Sequence, residues 1–267
     1  MNASITVLIK RLWILLLLLF GSFSPAVAQH KEALYQDFTK LTYVTEDYPP
    51  GNYVEGGELK GIAVDLLLAA ARFAGFEMDR GHIEVYSWAR SYRLALNIPG
   101  YVVFSTSRTP EREHLFQWAG PIINTSQAGL MALKSRKIVI DSKEQLKKYR
   151  FGVLRGDVNE QLLKKLGVSS LQMVLSNEPQ LLAKMLLRGR VDLWAFEPSS
   201  AREVLEKMKI HNPGVEQVYR LGDNVVYYAF HKDTPRSLVQ SLQRALDGVK
   251  TTDEYRQILL RYGWEMQ

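Results

Sequence analysis

Cysteine is absent from the 267 residues. That excludes a disulfide framework, thiolate zinc, iron–sulfur clusters, cysteine catalysis and a lipidated N-terminal cysteine. A chain of this length does not need such staples, because it buries an adequate core unaided. Blocks of five or more Lys/Arg are also missing, and the net charge of +6 comes from 34 basic and 28 acidic residues spread along the chain. Nucleic-acid binders carry a stronger, clustered excess. The five histidines, His30, His82, His114, His211 and His231, include no pair at ligand spacing, so neither a metal nor a cofactor is expected. No phosphate-cradling G-x-x-x-x-G-K-[ST] loop, no G-x-G-x-x-G turn and no G-x-S-x-G elbow occurs. Nothing in the sequence argues for catalysis. Hydrophobic residues at 46% and charged residues at 23% are ordinary for a globular chain, which excludes disorder.

Long hydrophobic runs are equally scarce. The longest, Leu12 to Phe20, falls well short of the ~20 residues that span a bilayer. It follows Lys10-Arg11 and precedes Pro25 and the small–x–small pattern Ala26-Val27-Ala28. Residues 1–28 therefore read as a secretory signal cleaved near Ala28, leaving an exported, soluble chain that begins near Gln29.

The remainder alternates strand and helix, the α/β signature. Strands are expected at Leu41–Thr45, Phe76–Tyr86 and Tyr101–Phe104. A hairpin turns at Gly56-Gly57, and helices cover Gly61–Ala74, ended by Gly75, and Ala89–Leu96. A second series places strands at Gly129–Leu133, Phe151–Leu154, Leu171–Leu175, Val191–Phe196 and Val215–Leu221. Its helices are a short one opened by a Ser142–Gln145 capping box, then Asp157–Leu166, Pro179–Arg188 and Pro198–Lys209. A strand at Val225–Phe230 and helices at Pro235–Val249 and Thr252–Tyr262 close the chain, with Thr251 and Glu254 as the caps of the last. The two final helices are too few for a bundle and are expected to pack on an α/β lobe.

Four segments in order resemble one family. They are "LTYVTEDYPPGNYVEGGELKGIAVDLLLAAARFAGF", "FSTSRTPEREHLFQWAGPI", "LLAKMLLRGRVDLWAFEP" and "VVYYAFHKDTPRSLVQSLQRALDGVKTTDEYRQILLRYG". Together they are similar to the bacterial periplasmic solute-binding proteins that serve polar amino acid importers, extracellular solute-binding protein family 3. The resemblance implies an α/β, two-lobed periplasmic-binding-protein fold of type II, its lobes joined by two crossing hinge strands with ligand in the cleft. Lobe 1 would be 29–127 plus 225–267, lobe 2 128–224, and the hinge would lie near 125–128 and 222–226. It implies a monomer that captures a small polar, amino acid-like solute for the permease of an ATP-driven importer. A sensing subunit that docks on a membrane receptor, or a dehydratase-like enzyme with Glu197 as acid, are the alternatives.

The resemblance also marks residues. Arg112 matches the arginine that grips a ligand carboxylate, a task suited to the guanidinium fork; in the charged turn around it, a surface role is the alternative. Ser105 and Ser107 match contact positions, or are turn serines. Glu197 matches an acid facing the ligand ammonium, and its place before Pro198 equally suits a helix cap. Tyr48 matches the stacking aromatic. Arg90, in Trp88-Ala89-Arg90, is a second anion-binding candidate or a solvated helix residue. Asp192, Trp118 and Trp194 read as structural. Two departures stand out. "VLRGDVNE" puts Asp157 and Glu160 where relatives have small residues, which disfavours an anion and suits a cation. "IPGYVVFSTSR" replaces a Gly-x-x-Asp segment. A basic amino acid, a small peptide and a non-amino-acid solute all stay open.

Overall fold

A computed structural model describes residues 35–264, apart from the side chains of 124–126 and 224. The secretory signal expected over 1–28 lies outside the described residues. Tyr35 and Gln36 belong to a separate N-terminal unit, and the chain from Asp37 onward packs as one compact unit.

Its framework is an eight-stranded mixed sheet of order β4-β1-β5-β10-β6-β9-β7-β8. One half is β1 (Thr42–Thr45), β4 (Ile83–Val85) and β5 (Tyr101–Ser107), with β1 central and parallel to both neighbours. The other half is β7 (Phe151–Leu154), β8 (Met173–Ser176) and β9 (Leu193–Phe196), with β7 central and parallel to both. Two long antiparallel strands, β6 (Phe116–Leu133) and β10 (Val215–His231), run through both halves. The far end of β10 pairs with β5, and the far end of β6 pairs with β9. Their mutual register slips at four points between Gln217 and Tyr228. At each slip one strand carries one or two extra residues, which bend the ribbon and raise its twist. A small hairpin, β2 (Tyr53–Glu55) and β3 (Glu58–Lys60), stands apart from the main sheet.

Strands covered on both faces read as unbroken apolar runs. "FGVL" and "LWAF" are such runs, and every residue in them is buried. On one face Leu130, Phe151, Val153, Leu163 and Leu193 pack together, and on the other Leu182, Leu186, Trp194, Phe196 and Val204. The helices covering this half are α3 (Val158–Lys165), α4 (Pro179–Leu187) and α5 (Pro198–Lys207). The first half is covered by α1 (Ile62–Ala74), α2 (Trp88–Asn97), α6 (Arg236–Val249) and α7 (Asp253–Arg261). α1 is buried almost all round and ends as its sequence predicts, with Gly75 left-handed at φ 88° and its N–H on Ala71 and Arg72 carbonyls. α6 buries Val239, Leu242, Ala245, Leu246 and Val249, the spacing of one helix face. Gly248 lets it lie close against Phe73 of α1.

Several expectations change. The strand expected over Phe76–Tyr86 shrinks to β4, because Asp79 and His82 form a capping box around the 3₁₀ turn Arg80–His82. Ser142 makes no cap bond, and the segment it opens is 3₁₀ over Lys143–Lys148. Thr251 does not cap α7. Its hydroxyl donates to the Gly248 carbonyl, while Glu254 pairs with Arg72. The strands expected at Val215–Leu221 and Val225–Phe230 are one strand, continuous through Gly222, and the one expected at Gly129–Leu133 begins at Phe116. In both cases the long ladder between β6 and β10 overrides local turn signals such as Gly120-Pro121.

Candidate functional site

The two halves of the sheet meet at a cleft, and the segments that follow their strands supply its walls. β5 ends in Ser105 and Ser107, and the turn after it carries Arg112. The β1–β2 loop brings Glu46 and Tyr48, and α2 opens with Trp88. From the other half, the turn between β7 and α3 contributes Gly156, Asp157 and Asn159, and the turn between β9 and α5 contributes Glu197. A cavity of about 40 Å³ is lined by Glu46, Tyr48, Trp88, Ser105, Ser107, Arg112, Ala128, Asp157, Val158, Asn159, Glu197 and Val226. Thus Arg112, Glu197, Tyr48, Ser105, Ser107 and Asp157 line one space.

Arg90 does not join them. It is exposed on α2 and lies flat over the Tyr86 ring, 3.7 Å from its centroid. A stack of this kind keeps the charge wet while covering an aromatic face. Arg90 therefore stands outside the cavity that holds the other candidates.

Arg112 is buried, with 1% exposure. Its Nη1 donates to the Ser107 carbonyl at 3.2 Å and its Nη2 to the Gly156 carbonyl, across the cleft, at 2.9 Å. The guanidinium sits 5.3 Å from the Trp88 ring centroid and 5.1 Å from that of Tyr92. Burial lowers its pKa, and the charge of Asp157 opposes that shift. Its Nε has no hydrogen-bond partner among the described residues.

Two neighbours share that condition. Trp88 Nε1 and Asn159 Oδ1 are also buried without a partner, and both residues line the same cavity. Buried polar atoms are normally paired, so such orphans need a reason. The Asn159 amide is oriented by its own bond, since Nδ2 donates to Asp157 Oδ2 at 2.7 Å. That leaves the carbonyl oxygen as the free end. Sequence reasoning passed over Trp88 and Asn159, because an indole N–H or an amide oxygen is orphaned only by its tertiary surroundings.

Asp157 caps α3 through the Val158 N–H. Burial raises its pKa, against the opposing charge of Arg112 and the hydrogen bonds from Asn159 and Val158. Glu46 was also missed, although it sits two residues before Tyr48 in the acidic–aromatic loop. Burial first, then the charges of Asp157 and Asp47, push its carboxyl well above the usual range, with Arg112 opposing. A carboxyl with a raised folded pKa binds its proton more tightly when folded, so stability falls as pH rises above the unfolded value. Glu46→Gln should therefore melt at a higher temperature than the parent at pH 7. The gain should vanish below the ordinary carboxylate value of 4.5. Melting curves across pH check this, and an equal gain at every pH would contradict it.

Glu197 proves to be a helix cap as well as a cavity wall. Oε1 accepts from Ser199 N–H at 3.0 Å, and Oε2 from Ser200 N–H at 2.7 Å and Ser199 Oγ at 2.6 Å. Tyr48 is half-buried, its ring 5.0 Å from that of Phe196. Ser105 adopts φ 56°, a left-handed value unusual for serine, and its hydroxyl donates to Asn52. Asp192 is structural: Oδ1 pairs with Arg136 at 2.7 Å and Oδ2 accepts from Arg150 N–H at 2.8 Å. Trp194 is fully buried and stacked on Phe196.

The cleft rims also touch. Lys207 meets Asp47 at 2.9 Å on one side and Lys165 meets Glu111 at 2.7 Å on the other. Ser200 donates to the Pro49 carbonyl, and Thr109 to Gln161. The two ion pairs, at the surface, contribute little each, whereas the Ser200 bond is buried. A larger groove, about 500 Å³, lies away from the cleft beside α5 and the start of β10; none of its lining atoms is a buried unpartnered group. No described helix is long and apolar enough to cross a membrane.

Two α/β half-sheets, two shared antiparallel strands and a charged cleft between the halves define the two-lobed periplasmic-binding-protein fold. The chain belongs to the bacterial extracellular solute-binding proteins, family 3, whose sequence model matches residues 41–265. A search of curated proteins found no match. Among solved structures, it is similar to a histidine kinase sensor domain with similarity to periplasmic binding proteins. That match has a TM-score of 0.74 and 17% identity, and covers 85% of this chain and 98% of the other. An ancestral arginine-binding protein bound to arginine has a TM-score of 0.70 and 23% identity, covering 84% and 98%. The arginine-, lysine-, histidine-binding protein ArtJ of Geobacillus stearothermophilus has 0.71 and 18%, covering 85% and 97%. The family and the two arginine-binding neighbours are binding proteins.

Proposed function

We propose that this protein captures a small solute bearing both an ammonium and a carboxylate, an amino acid or close relative, for an ATP-driven importer. One observation carries the reading. Three buried polar atoms without partners, Trp88 Nε1, Arg112 Nε and Asn159 Oδ1, line a single cavity beside Asp157 and Glu46. The two N–H donors suit a carboxylate, with the charge of Arg112 behind them. The amide oxygen and the carboxylates suit an ammonium. Glu197 supports the acidic wall while it caps α5. Two further acids near Asp157 bias the site against a second negative charge, so acidic amino acids are disfavoured.

The chain works in this reading as an exported periplasmic monomer processed after Ala28. Residues 29–127 with 225–267 form one lobe and 128–224 the other, turning about the register slips of β6 and β10. Closure is a population shift driven by contacts from both lobes. A panel of amino acids, amines and organic acids, screened by thermal shift, tests the binding. A ligand at 100 times its Kd should add ~2.7 kcal/mol. Small-angle scattering should show compaction on saturation with any hit, and an unchanged radius of gyration would argue against closure.

Sensing for a membrane receptor is the second reading, favoured by the likeness to a histidine kinase sensor domain. Loss of solute uptake on deletion of the gene supports import; an intact uptake rate with a lost transcriptional response supports sensing.

A further inference from the structure

We infer that the bound solute carries a short apolar side chain, which lodges in a second chamber beside the polar one. The inference rests on the reading of the polar chamber as the seat of an amino acid head. The second chamber, about 50 Å³, is walled by Pro50, Ile62, Ile122, Ile123 and Trp264 among others. It shares Tyr48, Ser105, Glu197 and Val226 with the polar cavity. A ligand held by its head at Arg112 and Asp157 has this chamber as the adjoining room, with Tyr48 at the passage.

Charge decides what can enter. Among the described residues Glu197 is the one carboxylate or basic side chain on the wall, and both of its oxygens accept hydrogen bonds from the first turn of α5. An anionic side chain would be repelled by Glu197, and a cationic one would give up its water against a wall otherwise made of apolar and neutral groups, with one already hydrogen-bonded carboxylate to compensate, which is costly. An apolar side chain loses nothing. Ile62 and Ile122 are fully packed behind the wall, at 0% and 1% exposure. The first turn of α1 is pinned there too, since the Tyr228 hydroxyl donates to the Ala63 carbonyl at 2.7 Å. The wall is therefore a built surface and does not collapse on itself.

Size narrows the class. A water-sized group needs ~10–15 Å³ of such space, so the chamber takes roughly three or four groups without widening. That is a propyl, isobutyl or sec-butyl side chain. The chamber takes Ile123 and Val226 from one half and Ser199 and Ser200 from the other, so filling it rewards the closed arrangement.

Calorimetry on the mature chain with alanine, 2-aminobutyrate, norvaline and leucine, and with glutamate and arginine alongside, decides the question. Each methylene added should tighten Kd by about fourfold, so leucine should bind about 60-fold better than alanine, and better than arginine. Ile123→Phe, which fills the chamber from β6, should cost leucine about tenfold more than it costs alanine. If that variant does not fold, the series on the parent protein still decides. A flat series, or arginine binding more tightly than leucine, overturns the apolar chamber and leaves the amino acid reading standing. Binding of none of these amino acids overturns both.

Discussion

Arg112→Ala should weaken binding of an amino acid by a factor of tens to thousands. The guanidinium is buried, faces Asp157, and holds an unpartnered Nε in the cavity. Removing one member of a buried, hydrogen-bonded charge pair costs about 2–5 kcal/mol, and each 1.4 kcal/mol is tenfold in Kd. The same substitution frees the Gly156 and Ser107 carbonyls, which Arg112 now satisfies. A urea titration of the variant must therefore accompany calorimetry, so that a loss of fold is not read as a loss of contact. Arg112→Lys should rescue only part of the affinity. A point charge neither reproduces the fork nor stacks between Trp88 and Tyr92. Deaminated analogues give a second axis: they should lose the interaction with Asp157 and Asn159 yet keep their sensitivity to Arg112→Ala. Parent-like affinity in a folded Arg112→Ala variant would remove this residue from the site.

Gly61→Ala should destabilise the fold by about 2–6 kcal/mol and abolish binding with it. Gly61 precedes α1 at φ 126° and ψ 161°, a region that side chains scarcely enter, at about 1–3 kcal/mol. A β-carbon there would stand 2.3 Å from the Gly51 carbonyl oxygen and 2.7 Å from the Asn52 α-carbon. Both neighbours are backbone, so relief means moving the chain, at a further ~1–3 kcal/mol. What would move is the Glu46–Asn52 loop. Its Pro50 and Gly51 carbonyls accept the first N–H groups of α1, from Ile62 and Ala63. Asn52 in turn donates to the Glu46 carbonyl. Displacing the loop therefore uncaps α1 and misplaces Glu46 and Tyr48 together. Gly57→Ala is the matched control, because φ is also positive there and nothing lies within 4 Å of the added carbon. It should cost only about 1–2 kcal/mol. Equal urea midpoints for the two variants would show that the close approach of the loop to Gly61 is unimportant.

Much of this architecture was readable from residue order. Helix ends at Gly75 and Pro179, the apolar runs "FGVL" and "LWAF", and the cap at Asp157 are local chemistry, settled within a turn or a strand. The motif positions of Arg112, Ser105, Ser107, Tyr48 and Glu197 also lead to one cavity. What local sequence did not determine depends on partners far along the chain. β10 passes straight through Gly222, and β6 through Gly120-Pro121, because each has the other as a ladder. Arg90 and Arg112 are the same residue type in similarly polar surroundings. One lies on Tyr86 in water and the other is buried between two rings, a difference made by the segments that fold over them. Trp88, Asn159 and Glu46 matter for the same reason. Burial without a partner, and a carboxyl pushed up by neighbouring acids, are properties of a cavity, and a cavity exists only once residues more than a hundred positions apart have met. Residue order carried most of the helices and short strands, the ends at Gly75 and Asp157 and the family of the chain, because these are local; the fusion of the long strands, the failed caps at Ser142 and Thr251 and the unsatisfied polar groups facing one another depend on tertiary partners.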